Sequence, residues 1–402
     1  MHDSNEQLLR WCESERAWLR ETIEALVRLE SPSGDKAAVD RCGAELASRL
    51  GELGGRVTVL TQQDRGNHVR AEFGGRTGRV LLLGHFDTVW PIGQLGRMPI
   101  EERDGRLHGP GIFDMKSGIG VAMLAMRALQ QLDGEGAPAV TMLWTADEEI
   151  GSGTSRALIE DAARRCEAVL VLEPSLPGGA AKTSRKGCGD FEITVHGVLA
   201  HAGIDPGKGA NAIHELARQL VDLADLQDLA RGVSVSAGLI SGGTRTNVVP
   251  DLARASLDVR VPTMEDAARI ERAIRARTAG LPGTRLEISG GFGRPPLERG
   301  GHVVRLYEMA RDVAAGLGVV LDEGGTGGGS DGNFTAALGV PTLDGLGPRG
   351  DGAHALHEHV ELDDLPWRAA FLASLLVRLG AGAPGAGRAS RLEKSSPPGG
   401  RG

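Results

Sequence analysis

Short apolar runs alternate with segments of helical period, and this alternation restricts the chain to a layered α/β fold more than any other feature. Residues 57–60, 69–73, 80–83, 140–144 and 168–172 have the length and bulk of buried strands. Around them, residues 38–53, 118–132 and 154–165 repeat apolar side chains every three or four positions, the spacing of one helix face. Strands separated by helices need crossover connections, so the expected sheet is largely parallel with helices on both faces. An amphipathic helix built on Trp18, Leu19, Ile23, Leu26 and Val27 opens the chain and stops at Ser31-Pro32-Ser33.

From about Ser184 the rhythm changes. Strand 191–196, helix 211–229, strands 233–240 and 253–261, helix 264–279 and strand 285–289 follow in the order of a βαββαβ unit. That is a ferredoxin-like α+β arrangement, an antiparallel sheet with two helices on one face. The α/β rhythm then resumes with a helix at 303–317, a short strand at 340–343 and a helix at 365–379. The expected organisation is a discontinuous first domain (1–183 and 297–380) interrupted by an insert (184–296). A Gly/Pro/Ser/Arg-rich tail (381–402) has no apolar period and is expected to be disordered.

Three of the apolar runs lead straight into motifs of histidine and acid: Gly84-His85-Phe86-Asp87, Asp147-Glu148-Glu149 and Leu172-Glu173-Pro174. Gly111-Ile112-Phe113-Asp114 and Gly352-Ala353-His354 add two more. In an open α/β sheet the carboxyl ends of strands face one crevice. Imidazole and carboxylate donors without cysteine suit a pair of Zn²⁺ ions or similar divalent cations. His85 alone reads as a packed or surface residue, but Asp87 stands two positions on, where it can hold the ring nitrogen a metal leaves free. Asp114 precedes Lys116-Ser117-Gly118 and could serve as a helix N-cap; its two oxygens could equally bridge two cations about 3.5–4 Å apart. Glu148 and Glu149 fit a solvated acidic helix start, or one serves a metal and the other a proton. Glu173, between an apolar strand and Pro174, suits a surface less well.

His354, His357 and His359 are alternatives, of which one completes the set. The glycines of 324–329 resemble a phosphate loop but lack the Gly-Lys-Ser/Thr that would follow, so a flexible loop beside the site is expected. His201, Asn247, Arg260 and Arg294 all fall in the insert. The arginines would ordinarily be surface charges, although a guanidinium is the fitting group for a substrate carboxylate.

Composition narrows the functional classes. The net charge of -8 argues against nucleic-acid or membrane-surface binding, both of which need a basic face. No apolar run approaches the roughly 20 residues of a membrane span. Met1 to Arg10 lacks the pattern of a secretory signal, and Cys12, Cys42, Cys166 and Cys188 are scattered as in reduced proteins, so a cytoplasmic location is expected.

Taken together, Gly84-His85-Phe86-Asp87-Thr88-Val89, the stretch from Gly109 to Lys116, Thr145 to Ser152, His201-Ala202-Gly203 and Gly327 to Asp331 resemble the zinc peptidase and deacylase family. That family includes acetylornithine deacetylase, succinyl-diaminopimelate desuccinylase, aminoacylase and bacterial glutamate carboxypeptidase. The resemblance implies a di-metal aminopeptidase-like catalytic domain with an inserted lid that dimerises, and two Zn²⁺ per subunit, replaceable by Co²⁺ or Mn²⁺. By the same resemblance His85, Asp114 and Glu173 serve one metal, and Asp114, Glu149 and His354 the other. His354 is preferred to His357 because Gly-Ala-His-x-x-x-Glu, ending here at Glu358, recurs in the family. Asp87 orients His85, Glu148 is the general base, and His201 reaches a partner's active site. The similarity is greatest to the glutamate carboxypeptidase branch, where Arg260 and Arg294 match positions linked to the substrate carboxylate; Asn247 is grouped with them. The implied substrate is a small peptide or an N-acyl amino acid. An acetylornithine deacetylase or aminoacylase-like activity is the alternative. A non-catalytic metal-binding protein is disfavoured, since a storage site needs no base such as Glu148.

Overall fold

The computed structural model describes residues 2–74, 77–132 and 137–381, so most of the tail expected at 381–402 lies outside the described residues. Five strands of the first sheet are β1 (Arg56–Leu60), β2 (His68–Phe73), β3 (Thr77–His85), β4 (Pro138–Thr145) and β5 (Ala168–Val171). Their order is β1-β2-β4-β3-β5, and the short strand Thr342–Leu343 closes the far edge. β3 runs parallel to β4 and β5, and Thr342–Leu343 parallel to β5; β1 and β2 are antiparallel additions. The architecture is α/β with a mostly parallel central sheet, as the alternation implies.

The continuous apolar runs are explained by burial on both faces. Val80, Leu82, Met142 and Leu170 join one core with helices Arg16–Arg28, Ser117–Gln131 and Asp364–Gly380. Leu81, Leu83, Leu143 and Val171 turn the other way, onto Ile159 and Phe334. Helix Ser117–Gln131 must lie close to the sheet: a Cβ on Gly118 would sit 2.1 Å from the Leu172 carbonyl oxygen, which only glycine avoids. An additional helix, His2–Ser14, precedes the expected first one and packs on the C-terminal helix.

Between β5 and Thr342–Leu343 the chain builds a second sheet from β6 (Gly187–His196), β7 (Ser234–Gly242), β8 (Leu252–Val261) and β9 (Arg285–Arg294). The order β7-β8-β6-β9 is antiparallel throughout. Helices Ala212–Ala224 and Met264–Arg275, N-capped by Asn211 and Thr263, cover one face through Leu216 and Ile270 against Ile193, Val195 and Leu257. β9 continues to Arg294 rather than ending near Ser289, and that extension delivers Arg294 to the first sheet's edge. The insert's two ends meet, since Arg185 and Leu297 exchange both backbone hydrogen bonds, at 2.9 and 3.0 Å.

The glycine stretch is more ordered than expected. Glu323–Thr326 is a strand pairing in parallel with Ala181–Arg185. A Cβ on Gly325 would lie 2.4 Å from Ser184 Oγ, so glycine here permits close strand approach rather than flexibility. Among the described residues all four cysteines are free, and no helix is long and apolar enough to cross a membrane.

Candidate metal centre

Asp114 lies at the centre of the site and divides its two oxygens between two groups. Asp114 Oδ1 is 3.2 Å from His85 Nε2, which also lies 3.3 Å from Glu173 Oε1. Asp114 Oδ2 is 3.5 Å from His354 Nε2, which lies 3.3 Å from Glu149 Oε2. His85 and Glu173 stand at the carboxyl ends of neighbouring parallel strands β3 and β5, and Glu149 sits in a short turn after β4. His354 comes from the far side of the insert, on a loop where its own φ is 60°, a left-handed conformation that costs a non-glycine residue about 1–2 kcal/mol. His357 is exposed and nearest to Asp351, at 3.8 Å, and His359 packs its ring on His108.

Asp87 fastens two of these segments together. His85 Nδ1 is 3.0 Å from the Asp87 carbonyl oxygen and 3.4 Å from its Oδ1, so the ring can turn Nε2 toward the acids. The same carboxylate accepts the backbone N–H groups of Glu148 and Glu149, both at 3.2 Å, and the Ser33 hydroxyl at 2.6 Å. Asp114 is not the N-cap of helix Ser117–Gln131; its side chain faces the imidazoles instead.

The electrostatics favour a cation. Burial would lower the His85 pKa, yet the adjoining carboxylates of Asp114, Asp87 and Glu173 raise it well above the ordinary imidazole range. Asp114 and Glu149 push His354 up to about 10. Both imidazoles thus sit in a field of negative charge that favours a positive partner. Glu149 Oε1 is buried and has no hydrogen-bond partner among the described residues, a free acceptor on the carboxylate whose Oε2 meets His354. His85, Asp114 and Glu149 bring one donor atom each to within 4.8 Å of one another. Mixed nitrogen and oxygen donors without sulfur fit Zn²⁺ and related divalent ions.

Glu148 stands beside these donors with a different set of partners. Burial raises its carboxyl well above the usual range, against the opposing charge of Arg294. Arg294, expected to meet a substrate carboxylate, spends its guanidinium on the protein: 2.8 Å to Glu148 Oε1, 2.7 Å to the Glu148 carbonyl oxygen, 2.8 Å to Ser152 Oγ and 3.2 Å to Asp331. Arg260 is held by Asp258 and the Cys188 sulfur. His201 and Asn247 are exposed neighbours, Val248 pairing with His201 and the Asn247 carbonyl accepting from Ala202. Neither has a hydrogen bond to the cluster among the described residues.

Two residues escaped the sequence reading. Arg185 is buried, bonds Asp344 through Nε and Nη2 at 2.7 and 2.9 Å, and reaches Glu173 at 3.3 Å. Lys182 lines a cavity of about 270 Å³ shared with Glu149, Glu173 and His354; it is 8% exposed and has no side-chain partner among the described residues. Both lie around the start of the insert in a polar stretch that reads as surface, and pairing with segments far downstream, Glu323–Thr326, Leu297 and Asp344, turns them inward.

Residues 81–378 match the family described as peptidase family M20/M25/M40. Carboxypeptidase G2 of Pseudomonas sp. strain RS-16 is 30% identical over 372 residues, covering 90% of this chain and 89% of the relative. A succinyl-diaminopimelate desuccinylase of Paracidovorax citrulli is 30% identical over 312 residues, covering 73% and 79%. The fold is similar to that of an aminopeptidase of Bacillus cereus, with a TM-score of 0.75 at 21% identity over 90% of this chain and 98% of the other.

Proposed function

The chain belongs to peptidase family M20/M25/M40, and from that premise we propose a metal-dependent hydrolase that cleaves an amide bond next to a free carboxylate. The observation that carries the reading is a carboxylate only 11% exposed, Glu148, adjacent to two donor triads that share Asp114. His85, Asp114 and Glu173 would hold one cation, and Asp114, Glu149 and His354 the second. Zn²⁺ suits this set, with Co²⁺ or Mn²⁺ as substitutes. When bound, such ions supply Lewis acidity and lower the pKa of water toward roughly 7.

The protein's own groups do the rest. Arg294 fixes Glu148 Oε1 and leaves Oε2 for the water proton, and Asp87 sets the turn from which Glu148 projects. As the water oxygen bonds to the carbonyl carbon, Glu148 takes its proton; as the C–N bond breaks, Glu148 delivers that proton to the leaving nitrogen. A raised carboxyl pKa suits both half-reactions. With Arg294 held by Glu148 and Asp331 and Arg260 by Asp258, Lys182, in the cavity beside the cluster and without a side-chain partner among the described residues, is the basic group we assign to a substrate carboxylate. We assign His201 and Asn247 to the active site of a second copy in a homodimer, a reading supported by their exposure and by the open edge strand β7 with Leu239 and Ile240 exposed. Free cysteines fit a cytoplasmic setting.

Peptides ending in Glu, N-acetyl amino acids and N-succinyl amines, each assayed before and after metal removal, test the proposal. Metal-dependent release of a C-terminal residue is expected. Preference for the acetyl or succinyl substrates would favour a deacylase, the second reading, which the desuccinylase likeness supports. Metal-independent turnover, or none on any of the three classes, would defeat both.

A further inference from the structure

The Glu358 carboxylate is 1% exposed and forms no ion pair among the described residues. It faces four N–H groups. Oε1 accepts from the backbone N–H of Phe113 at 2.9 Å and of Asp114 at 3.1 Å. Oε2 accepts from the backbone N–H of Gly111 at 2.9 Å and from the Trp90 indole N–H at 2.8 Å. The donors lie on different pieces of chain. Trp90 follows the turn that carries His85 and Asp87; residues 111–114 form the loop that presents Asp114; Glu358 itself ends the loop that presents His354. Beside it, strand His359–Glu361 pairs with Arg106–His108, which leads into the Asp114 loop.

We propose that Glu358 is the positioning residue that assembles the metal cradle, fastening the His85, Asp114 and His354 segments through one carboxylate. The inference rests on the metal-centre reading and does not depend on hydrolysis. The chemistry demands a carboxylate. Four donors converge on two oxygens, and an ionised carboxylate offers acceptor capacity at each. A glutamine of the same shape would turn its NH₂ either toward Phe113 and Asp114 or toward Gly111 and Trp90, setting donor against donor and leaving buried N–H groups unpaired. The other fixings of this loop lie at its two ends: Ile112 N–H reaches the Gly109 carbonyl, Lys116 N–H the Gly111 carbonyl, and the Lys116 ammonium the Leu26 and Leu29 carbonyls at 2.9 and 2.8 Å, whereas the Phe113 and Asp114 N–H groups both go to Glu358. Without the carboxylate, Asp114 loses the anchor on its own backbone N–H, and both triads lose their shared member.

The test uses the full chain with Zn²⁺, competed against a chromophoric chelator, and with Co²⁺, read by visible absorption. Hydrogen exchange across residues 109–116 of the metal-free protein is the third readout. Glu358→Gln is expected to weaken Zn²⁺ binding by roughly 10- to 100-fold, the usual effect of losing a residue that orients metal ligands. It should also alter the Co²⁺ bands and speed exchange at residues 111–114. Trp90→Phe removes one donor of the four, so a smaller shift of the same sign is expected; should Glu358→Gln fail to fold, this variant decides. Wild-type Zn²⁺ affinity together with an unchanged Co²⁺ spectrum in whichever variant folds overturns the proposal. A chain that binds Zn²⁺ but hydrolyses nothing overturns the functional reading alone.

Discussion

At Asp114 and Glu148, two carboxylates lining one cavity are given opposite characters by their partners. Asp114 faces two imidazoles and is held far below the usual carboxylate range despite burial, whereas Glu148 is raised well above it by burial against the opposing charges of Arg294 and His85. Glu148→Gln keeps the shape and removes the proton acceptor, so bound metal measured by elemental analysis should stay at the wild-type level while kcat falls roughly 10²- to 10⁴-fold. His354→Ala should lower metal stoichiometry, whereas His357→Ala should leave it unchanged, because His357 points to Asp351 in the exposed part of the loop. The donor residues were legible because each ends an apolar strand or sits in a short motif of glycine, histidine and acid. Arg294 was found in the sequence without its destination. A guanidinium says only that an anion is near, and whether that anion is Glu148 or a substrate depends on how far β9 runs. Lys182 and Arg185 had no local signal, since their burial comes from a strand about 140 residues downstream in sequence.

Elements were legible where burial is two-sided and less so where local chemistry competes. The central strands fell within a few residues of their expected limits, but helix 211–229 ends at Ala224, after which Leu226 packs back on the insert's core and Leu229 is exposed. The strand at 323–326 was hidden because glycine suppresses the apolar signal even where it permits the pairing. Within the insert, Glu215 does the fastening. It is fully buried on helix Ala212–Ala224 and accepts the Gly280 and Leu281 backbone N–H groups at 3.0 and 2.8 Å and the Gln219 amide at 2.6 Å. Burial opposes its ionisation, but those three donors win, so its pKa lies below 4.5. A depressed pKa stabilises the fold fully above the unfolded value and loses that contribution as pH falls through the folded one. Glu215→Gln should therefore cost about 1–3 kcal/mol at pH 7 by chemical denaturation, and the gap from wild type should narrow once the pH drops below about 4.5. A constant gap across that range would remove the carboxylate from the account.

On the scale of the molecule, the insert is attached where the chain can close without it. Arg185 and Leu297 are already backbone partners, so replacing residues 188–293 by a two-glycine turn should leave a folded unit that retains Arg294 and binds metal. The same variant should lose turnover and sediment as a monomer if the second copy docks through β7. A folded, dimeric, fully active product would refute both assignments. The sequence marked the second sheet by a change of rhythm from βα to βαββαβ, and the family resemblance already set four of the expected donors ahead of that stretch and one behind it. His85, Asp114, Glu149 and Glu173 are all encoded ahead of the insert, and His354 well behind it. On the ribosome, then, the acidic half of the cradle is made before the imidazole proposed to close it, and a nascent chain stalled before Gly352 would lack one proposed ligand of the second cation. On the proposed ligand assignment, the second cation would then be taken up only once His354 has been made.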